Sequence, residues 1–310
     1  MDRPRVIVIT GPTATGKTAL GALLAKIAGG EVVSADSMQI YKYMDIGTAK
    51  PTEAEKLGIP HHMIGIVSPF ESYSVARYVS DAARCVDDIL AREKLPVIVG
   101  GTGLYIDSLL RNRAFSAYGD ALLRRELEAE YDNIGGEAML RKLSKFDGES
   151  AARLHINDKK RIVRAIEVYS LSGKTISQHD RDTKSFPPRY DALKIALTFA
   201  DRAELYSKIE RRVDAMLEMG LENEVRRLLE MGVPLDSTAM QAIGYKAMAG
   251  VLLGKLSIIE AIEKIKIESR HYAKRQLTWL RQDTGVSWRV WDKQPDIDNA
   301  ARELADFIEY

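Results

Sequence analysis

One short segment carries residue types and spacing sufficient for chemistry on their own: Gly11-Pro12-Thr13-Ala14-Thr15-Gly16-Lys17-Thr18. It matches G-x-x-x-x-G-K-[ST] in full, directly after the apolar run 6–10 and directly before a helical pattern. The glycines let the backbone curl so that successive N–H groups point inward at phosphate oxygens, and the helix start adds its positive dipole end. Lys17 would reach an outer phosphate, and the Thr18 hydroxyl is the expected Mg2+ ligand. A glycine loop arising by chance would lack that strand-before, helix-after context. The loop does not specify which phosphorylated ligand it holds. Nucleoside triphosphate users generally add an apolar strand ending in Asp for a second metal contact. Here the strong apolar run 97–99 ends in Gly100-Gly101-Thr102-Gly103-Leu104-Tyr105, without an acid.

Asp36 stands just beyond the strand expected at 31–34, on the edge where open parallel sheets bind ligands. A carboxylate facing a phosphate loop suits a metal contact or a proton acceptor; equally, it could close an Asx turn with the residues after it. The string Asp36-Ser37-Met38-Gln39 adds an amide suited to a base edge. His61-His62 are neighbours, and adjacent side chains in an extended segment point to opposite faces, so they rarely share one metal ion. Further on, Ser257-x-x-Glu260 is a capping box that opens a helix to about residue 281. The spacing puts Ile258, Ile262, Ile265, Tyr272 and Trp279 on one stripe as its core face, with Arg270, Lys274 and Arg281 roughly 120–160° away as a basic ridge. No acid interrupts Arg270-His271-Tyr272-Ala273-Lys274-Arg275-Gln276. A second basic cluster, Lys159, Lys160, Arg161 and Arg164, winds around one turn of another helix. Such ridges are usually solvated faces, but two of them also suit a polyanion with defined contacts. Arg212 lies in a helix with apolar residues at 205, 209 and 216, and spacing alone gives it no role. The same holds for Gln241-Ala242-Ile243-Gly244-Tyr245-Lys246.

The elements that must position these residues read as α/β. Over the first hundred residues, apolar runs at 6–10, 31–34 and 97–99 alternate with helical patterns at 18–28 and 81–93, the mark of a parallel sheet. A fourth strand is expected at 192–199. Between about 113 and 188 the pattern becomes helical and strongly charged, with helices at 122–131, 138–145 and 159–171, the last with Asn157 or Asp158 as its cap and Gly173 beyond its end. The expected organisation is an α/β core of residues 1–112 and 192–310, interrupted by a helical insertion at 113–191. From 201 on the chain reads as mostly helical. All 310 residues amount to an ordinary globular composition, 45% hydrophobic and 29% charged, with a net charge of only +1. No long-range positive field therefore advertises nucleic acid, and any RNA contact must be local. Cys85, alone of its kind, excludes intrachain disulfides and cysteine-rich metal sites. No run approaches the ~20 apolar residues of a membrane span, and no leader precedes the first strand, so a reduced cytoplasmic setting is expected.

Together these strings resemble the tRNA dimethylallyltransferases, also called tRNA isopentenyltransferases, of the bacterial MiaA type. The likeness is carried, in family order, by the loop 11–18, Asp36-Ser37-Met38-Gln39, Gly47-Thr48-Ala49-Lys50-Pro51, Pro60-His61-His62, Gly100-Gly101-Thr102-Gly103-Leu104-Tyr105, Arg161-Ile162-Val163-Arg164-Ala165, Gln241-Ala242-Ile243-Gly244-Tyr245 and Lys274-Arg275-Gln276-x-x-Trp279-Leu280-Arg281. Lys160 stands where glutamine is common in the family. The resemblance implies a P-loop NTPase-like sheet with a helical insertion, and transfer of a dimethylallyl group from dimethylallyl diphosphate to N6 of adenosine 37 in tRNA. It implies Asp36 as general base, Thr102 orienting the amino group, and Arg212, Lys17, Thr18 and Mg2+ stabilising the diphosphate that departs. It further implies tRNA contacts at residues 36–39, at Lys160, Arg161, Ile162, Val163 and Arg164, at Gln241, Gly244, Tyr245 and Lys246, and at Lys274, Arg275, Gln276, Trp279 and Arg281. The family suggests a monomer.

Two other enzymes compete with this reading. Prenylation of a free adenosine phosphate would need neither the insertion nor two basic patches. A small-molecule kinase would use Asp36 to activate a hydroxyl, and would transfer phosphate from ATP. A guanine-nucleotide module lacks its base-reading N-K-x-D string.

Overall fold

A computed structural model of the chain describes residues 3–111 and 119–309. The expected boundary at 112/113 falls outside them. By contacts the chain divides into Met1–Leu110 with Arg189–Tyr310, and Arg111–Pro188.

The first unit starts with β1 (Arg5–Thr10), and Val6 to Ile9 are all completely buried. A parallel strand covered on both faces reads as an unbroken apolar run, and this one does. After the phosphate loop come α1 (Lys17–Ile27), β2 (Glu31–Ser34), β3 (His61–His62), α2 (Val75–Ala91), β4 (Pro96–Val99) and α3 (Gly103–Leu110). The second unit is helical: α4 (Ala121–Ser144), α5 (Gly148–Arg153), α6 (Lys159–Ser172) and α7 (Ile176–Ser185). The chain returns through β5 (Asp191–Phe199), α8 (Arg202–Glu218), α9 (Leu221–Glu230), α10 (Tyr245–Leu252), α11 (Ile258–Leu280), β6 (Val286–Trp291) and α12 (Ile297–Glu309). The sheet is parallel throughout, in the order β3-β2-β4-β1-β5-β6. This is a P-loop NTPase-like arrangement.

Two strands were not expected. β3 is two residues long and gives no periodic signal. β6 is a sheet edge with mostly exposed residues, so Val286-Ser287-Trp288-Arg289-Val290 shows little of the apolar run of a central strand. Its last residue, Trp291, joins the core of Ile7, Ile9, Leu20, Leu24, Val97, Ile195 and Leu197.

In the second unit, the expected helices 122–131 and 138–145 are parts of α4, which bends at Gly135 (φ 81°, ψ 161°). Asp120 caps its start, accepting from the Leu122 and Leu123 amides. α6 begins after Asp158 and stops at Gly173, whose φ of 68° closes the helix in the left-handed region. Ile162 and Val163 pack with Leu127, Met139, Leu143 and Ile166 in the unit's core. Among the described residues, no helix is long and apolar enough to cross a membrane.

Candidate active site

The carboxyl ends of β1, β2 and β4 lie side by side, and the backbone ladder continues past them. The Ala35 amide donates to Val99 O at 2.7 Å, Gly100 N to Ile9 O at 3.1 Å and Thr102 N to Ala35 O at 3.1 Å. The sheet register therefore sets Asp36 next to Thr102. The Ser37 amide donates to Thr102 Oγ1 at 3.1 Å, which completes the tie. Asp36 Oδ1 accepts from the Met38 amide at 2.8 Å and the Gln39 amide at 3.3 Å, so the Asx turn foreseen as its alternative role is present. A turn through one carboxylate oxygen fixes the direction of the other and does not exclude proton transfer.

The phosphate loop is held from three sides. Gly11 has a φ of 142°, and a Cβ there would stand 2.4 Å from Leu197 O, so only glycine lets β5 approach. Within the loop, Thr15 Oγ1 donates to Pro12 O at 2.8 Å and Lys17 Nζ to the same carbonyl at 2.7 Å. From outside, Trp291 Nε1 donates to Thr15 O at 3.1 Å, and the Thr13 amide donates to Gln276 Oε1 at 3.0 Å. The half-buried Thr18 stands in the first turn of α1.

A cavity of about 290 Å³ opens between these ends and the helices above them. Its polar lining includes Thr13, Asp36, Ser37, Arg212, Tyr272 and Arg275. The apolar wall comes from Ile209, Val213 and Met216 of α8, with Ile243 and Ile265. Burial and the nearby Arg212 charge pull the Lys17 ammonium down to about 7, with Asp36 opposing them. Burial lowers Arg212 as well, against the pull of Asp36 and Glu55. Tyr272 is pushed up to about 12 by burial and by Asp36. Two cations and one carboxylate thus share a partly dry space against an aliphatic wall. That combination can hold an anion and shelter an apolar group beside a proton acceptor.

A model of the IPP transferase family matches residues 39–283, and one of the isopentenyl transferase family matches residues 4–62. A tRNA dimethylallyltransferase of Acetivibrio thermocellus is 50% identical over 304 residues, 98% of this chain and 97% of that protein. One from Carboxydothermus hydrogenoformans is 48% identical, covering 92% of this chain and 91% of its own length. This chain belongs to the tRNA dimethylallyltransferases. Among solved structures, a full-length tRNA isopentenylpyrophosphate transferase of Bacillus halodurans aligns with a TM-score of 0.74 at 41% identity, covering 99% of this chain and 96% of that one. A eukaryotic dimethylallyltransferase described as acting on tRNA aligns at 0.82 and 30% identity, covering 99% of this chain and 80% of its own.

Several residues expected to contact tRNA are buried or have tertiary partners in this structure. Gln276 is 6% exposed, and its Nε2 donates to Gly101 O at 2.9 Å while Oε1 accepts from the Thr13 amide; it joins the phosphate loop to the end of β4. Gln39 gives both amide ends to Ser34, Thr48 and Ala49. Ile162 and Val163 are core. Tyr245 is completely buried, its hydroxyl donating to Glu224 at 2.5 Å, and Gly244 is buried just before it. Trp279 is half-buried over Gly103, where a Cβ would stand 2.4 Å from the indole, and Nε1 donates to Asp107 at 2.8 Å.

The α11 stripe is also turned from the expected one. Ile258 is 40% exposed, while Ala261, Ile265, Ala273, Leu277 and Leu280 are buried. Arg270 pairs with Glu210 of α8, a neutralising partner invisible within the helix's own sequence. Lys274, Arg275 and Arg281 stay exposed, as do Gln241 and Lys246. In the second unit, Lys160 and Arg161 are exposed and Arg164 pairs with the buried Glu167 at 2.8 Å. These three line a separate cavity of about 520 Å³ with Arg153 and Asp180. Lys159 pairs with Asp132 at 2.5 Å.

The apolar wall and Tyr272 were not singled out as site residues. One signal was available for the wall: Arg212 sits on the same helical face as Ile209, Val213 and Met216. A charge inside an apolar stripe needs a partner or a ligand.

Proposed function

We propose that this chain transfers a dimethylallyl group from dimethylallyl diphosphate to N6 of adenosine 37 in tRNA, with release of diphosphate. The observation that supports it is the single cavity in which Asp36, Thr13 and Arg212 meet an aliphatic wall beside the phosphate loop. An N6–C bond forms as the allylic C–O bond breaks, and the bonding pair leaves with the diphosphate. Adenine N6 is a weak nucleophile because its lone pair is delocalised into the ring, so Asp36 accepts its proton as the bond forms. Thr102, fixed by Ser37, orients the amino group. Lys17, Arg212 and the loop amides take up the charge that gathers on the leaving group.

Thr18 fits a Mg2+ ion as its protein ligand. Among the described residues no cluster of three His, Cys, Asp or Glu exists, so other ligands would be diphosphate oxygens and water, the usual habit of this ion. When bound, Mg2+ would add positive charge against the diphosphate. The apolar wall keeps water from the allylic cation, and the adenine leaves the anticodon stack to enter. The exposed cations Lys160, Arg161, Lys274, Arg275 and Arg281 would hold the anticodon arm. The enzyme would act as a cytoplasmic monomer.

The test is to incubate the protein with tRNA and dimethylallyl diphosphate, digest the RNA, and weigh the nucleoside from position 37. A prenylated adenosine is expected. Unmodified adenosine, or phosphate transfer from ATP to a small acceptor, overturns the reading.

A further inference from the structure

Glu224, in the first turn of α9, is 3% exposed, yet it is a carboxylate with four donors and no paired cation among its hydrogen bonds. Its Oε2 accepts from the Asp45 amide and the Ile46 amide, both at 2.8 Å. Its Oε1 accepts from the Gly47 amide at 3.0 Å and from the Tyr245 hydroxyl at 2.5 Å. A carboxylate has about four lone-pair sites, and all are filled. Three successive amides turned toward one point form a nest suited to an anion, and the anion here is the protein's own. Gly47 is required by the same packing: a Cβ there would stand 2.4 Å from the Tyr245 ring and 2.8 Å from Leu221 Cδ1.

The two segments joined by this carboxylate both reach the cavity. Gly47 and Thr48 line it from one side, and Gln241, Ala242 and Ile243, just before Tyr245, line it from another. The rest of the loop is braced from its own side: Thr48 Oγ1 donates to Met44 O at 2.5 Å, and Lys50 Nζ pairs with Asp45 at 2.7 Å. Without Glu224 the three amides would face one another's positive ends, and the loop would be left with the packing of Gly47 on Tyr245 and Leu221.

We propose that Glu224 is a positioning residue that fixes residues 45–48 and 241–245 as one wall of the cavity, and that this wall seats the acceptor RNA. The phosphate loop, Lys17 and Arg212 lie outside the clamp, so the grip on the donor's diphosphate does not depend on it; of the apolar wall, the clamp holds Ile243 alone. This assignment to the acceptor rests on the function proposed above; the clamp itself does not. Glu224→Gln would turn an NH2 group toward amide donors and lose at least one pair of bonds. Tyr245→Phe keeps the ring and removes one donor.

The experiment measures amide hydrogen exchange and steady-state kinetics on both variants, well below their unfolding midpoints. Glu224→Gln is expected to speed exchange at Asp45, Ile46 and Gly47 while the β1 and β4 amides stay protected. It should raise the KM for tRNA tenfold or more, with the KM for dimethylallyl diphosphate and kcat within threefold of the parent. Tyr245→Phe should move the same constants in the same direction by less. Unchanged exchange at 45–47, a KM shift for the donor instead, or a fall in kcat alone that follows the loss of folded protein, overturns the proposal. If Glu224→Gln does not fold, Tyr245→Phe decides: an unchanged KM for tRNA overturns it. Absence of prenylation by the parent protein would overturn the proposed reaction, while the exchange result would still report on the clamp.

Discussion

Asp36 is the residue on which the proposed chemistry turns, and its turn geometry makes a sharp test possible. Because one oxygen already accepts two amides, Asp36→Asn keeps much of the turn while removing the proton acceptor. Prenyl transfer is expected to fall by about 10²- to 10⁴-fold with donor affinity near that of the parent. Loss of donor binding, measured by calorimetry, would mark Asp36 as a metal contact instead. Lys17 gives a second test at this scale. Burial and Arg212 hold it near 7, so it carries a full charge below that pH and loses it as the pH rises. A bound diphosphate favours the charged form, so binding at pH 8 should take up protons, and affinity should weaken as pH climbs through 7 to 9. Calorimetry in buffers of different ionisation enthalpy reads this directly. No proton uptake would mean that Lys17 stays charged without ligand.

At the scale of elements, α11 and α6 do different work from what their charge suggests. α11 is a strut: Gln276 and Trp279 bind it to the phosphate loop, to Gly101 and to α3. Gln276→Ala leaves a half-buried amide at Thr13 and a buried carbonyl at Gly101 without these partners, at about 1–3 kcal/mol, and should weaken dimethylallyl diphosphate binding through the looser Thr13. Thermal unfolding and donor titration measure the two effects. On α6 the inner face is core and the outer face carries Lys160, Arg161 and Arg164. Replacing all three with Ala should lower the slope of log affinity for tRNA against log salt, by less than three full charges because Arg164 is already shared with Glu167. An unchanged slope would move the RNA surface away from this helix.

The one sheet of the molecule's described residues lies in the first unit, and its two ends differ in charge. The candidate site lies at the carboxyl ends, whereas the opposite end of β2 holds an ion cluster. Glu31 is 2% exposed and accepts from Arg92 Nη2, Lys94 Nζ and His62 Nε2, each at 2.8 Å. Arg92 first, then Lys94 and His62, hold its carboxyl far below the ordinary carboxylate range, against the cost of burial. A depressed folded value contributes stability at pH values above the ordinary carboxylate range, and that contribution is lost as pH falls through the folded one. Glu31→Gln should therefore lower the unfolding midpoint by a few degrees at pH 7, and the gap should narrow in strong acid. A gap that is constant with pH would show that packing, and not charge, is what the cluster supplies.

Local patterning was enough for much of this. The continuous apolar runs of β1 and β4, the shorter ones within β2 and β5, the phosphate loop and the caps of α6 and α11 depend on neighbours in sequence, and so they are legible there. The same holds for the family, because its strings are short and ordered. What sequence could not decide was which polar atoms were already occupied. Gln39, Tyr245, Gln276 and Arg270 look free in the chain, and each finds its partner through tertiary packing: in a loop, on α9, across 175 residues at Gly101, or on α8. The cavity wall has the same origin, since Ile209 and Val213 become a wall only when α8 crosses the ends of the sheet. Sequence spacing fixes which residues share a face; burial and the choice of partner depend on what packs against that face, and only the tertiary structure supplies it.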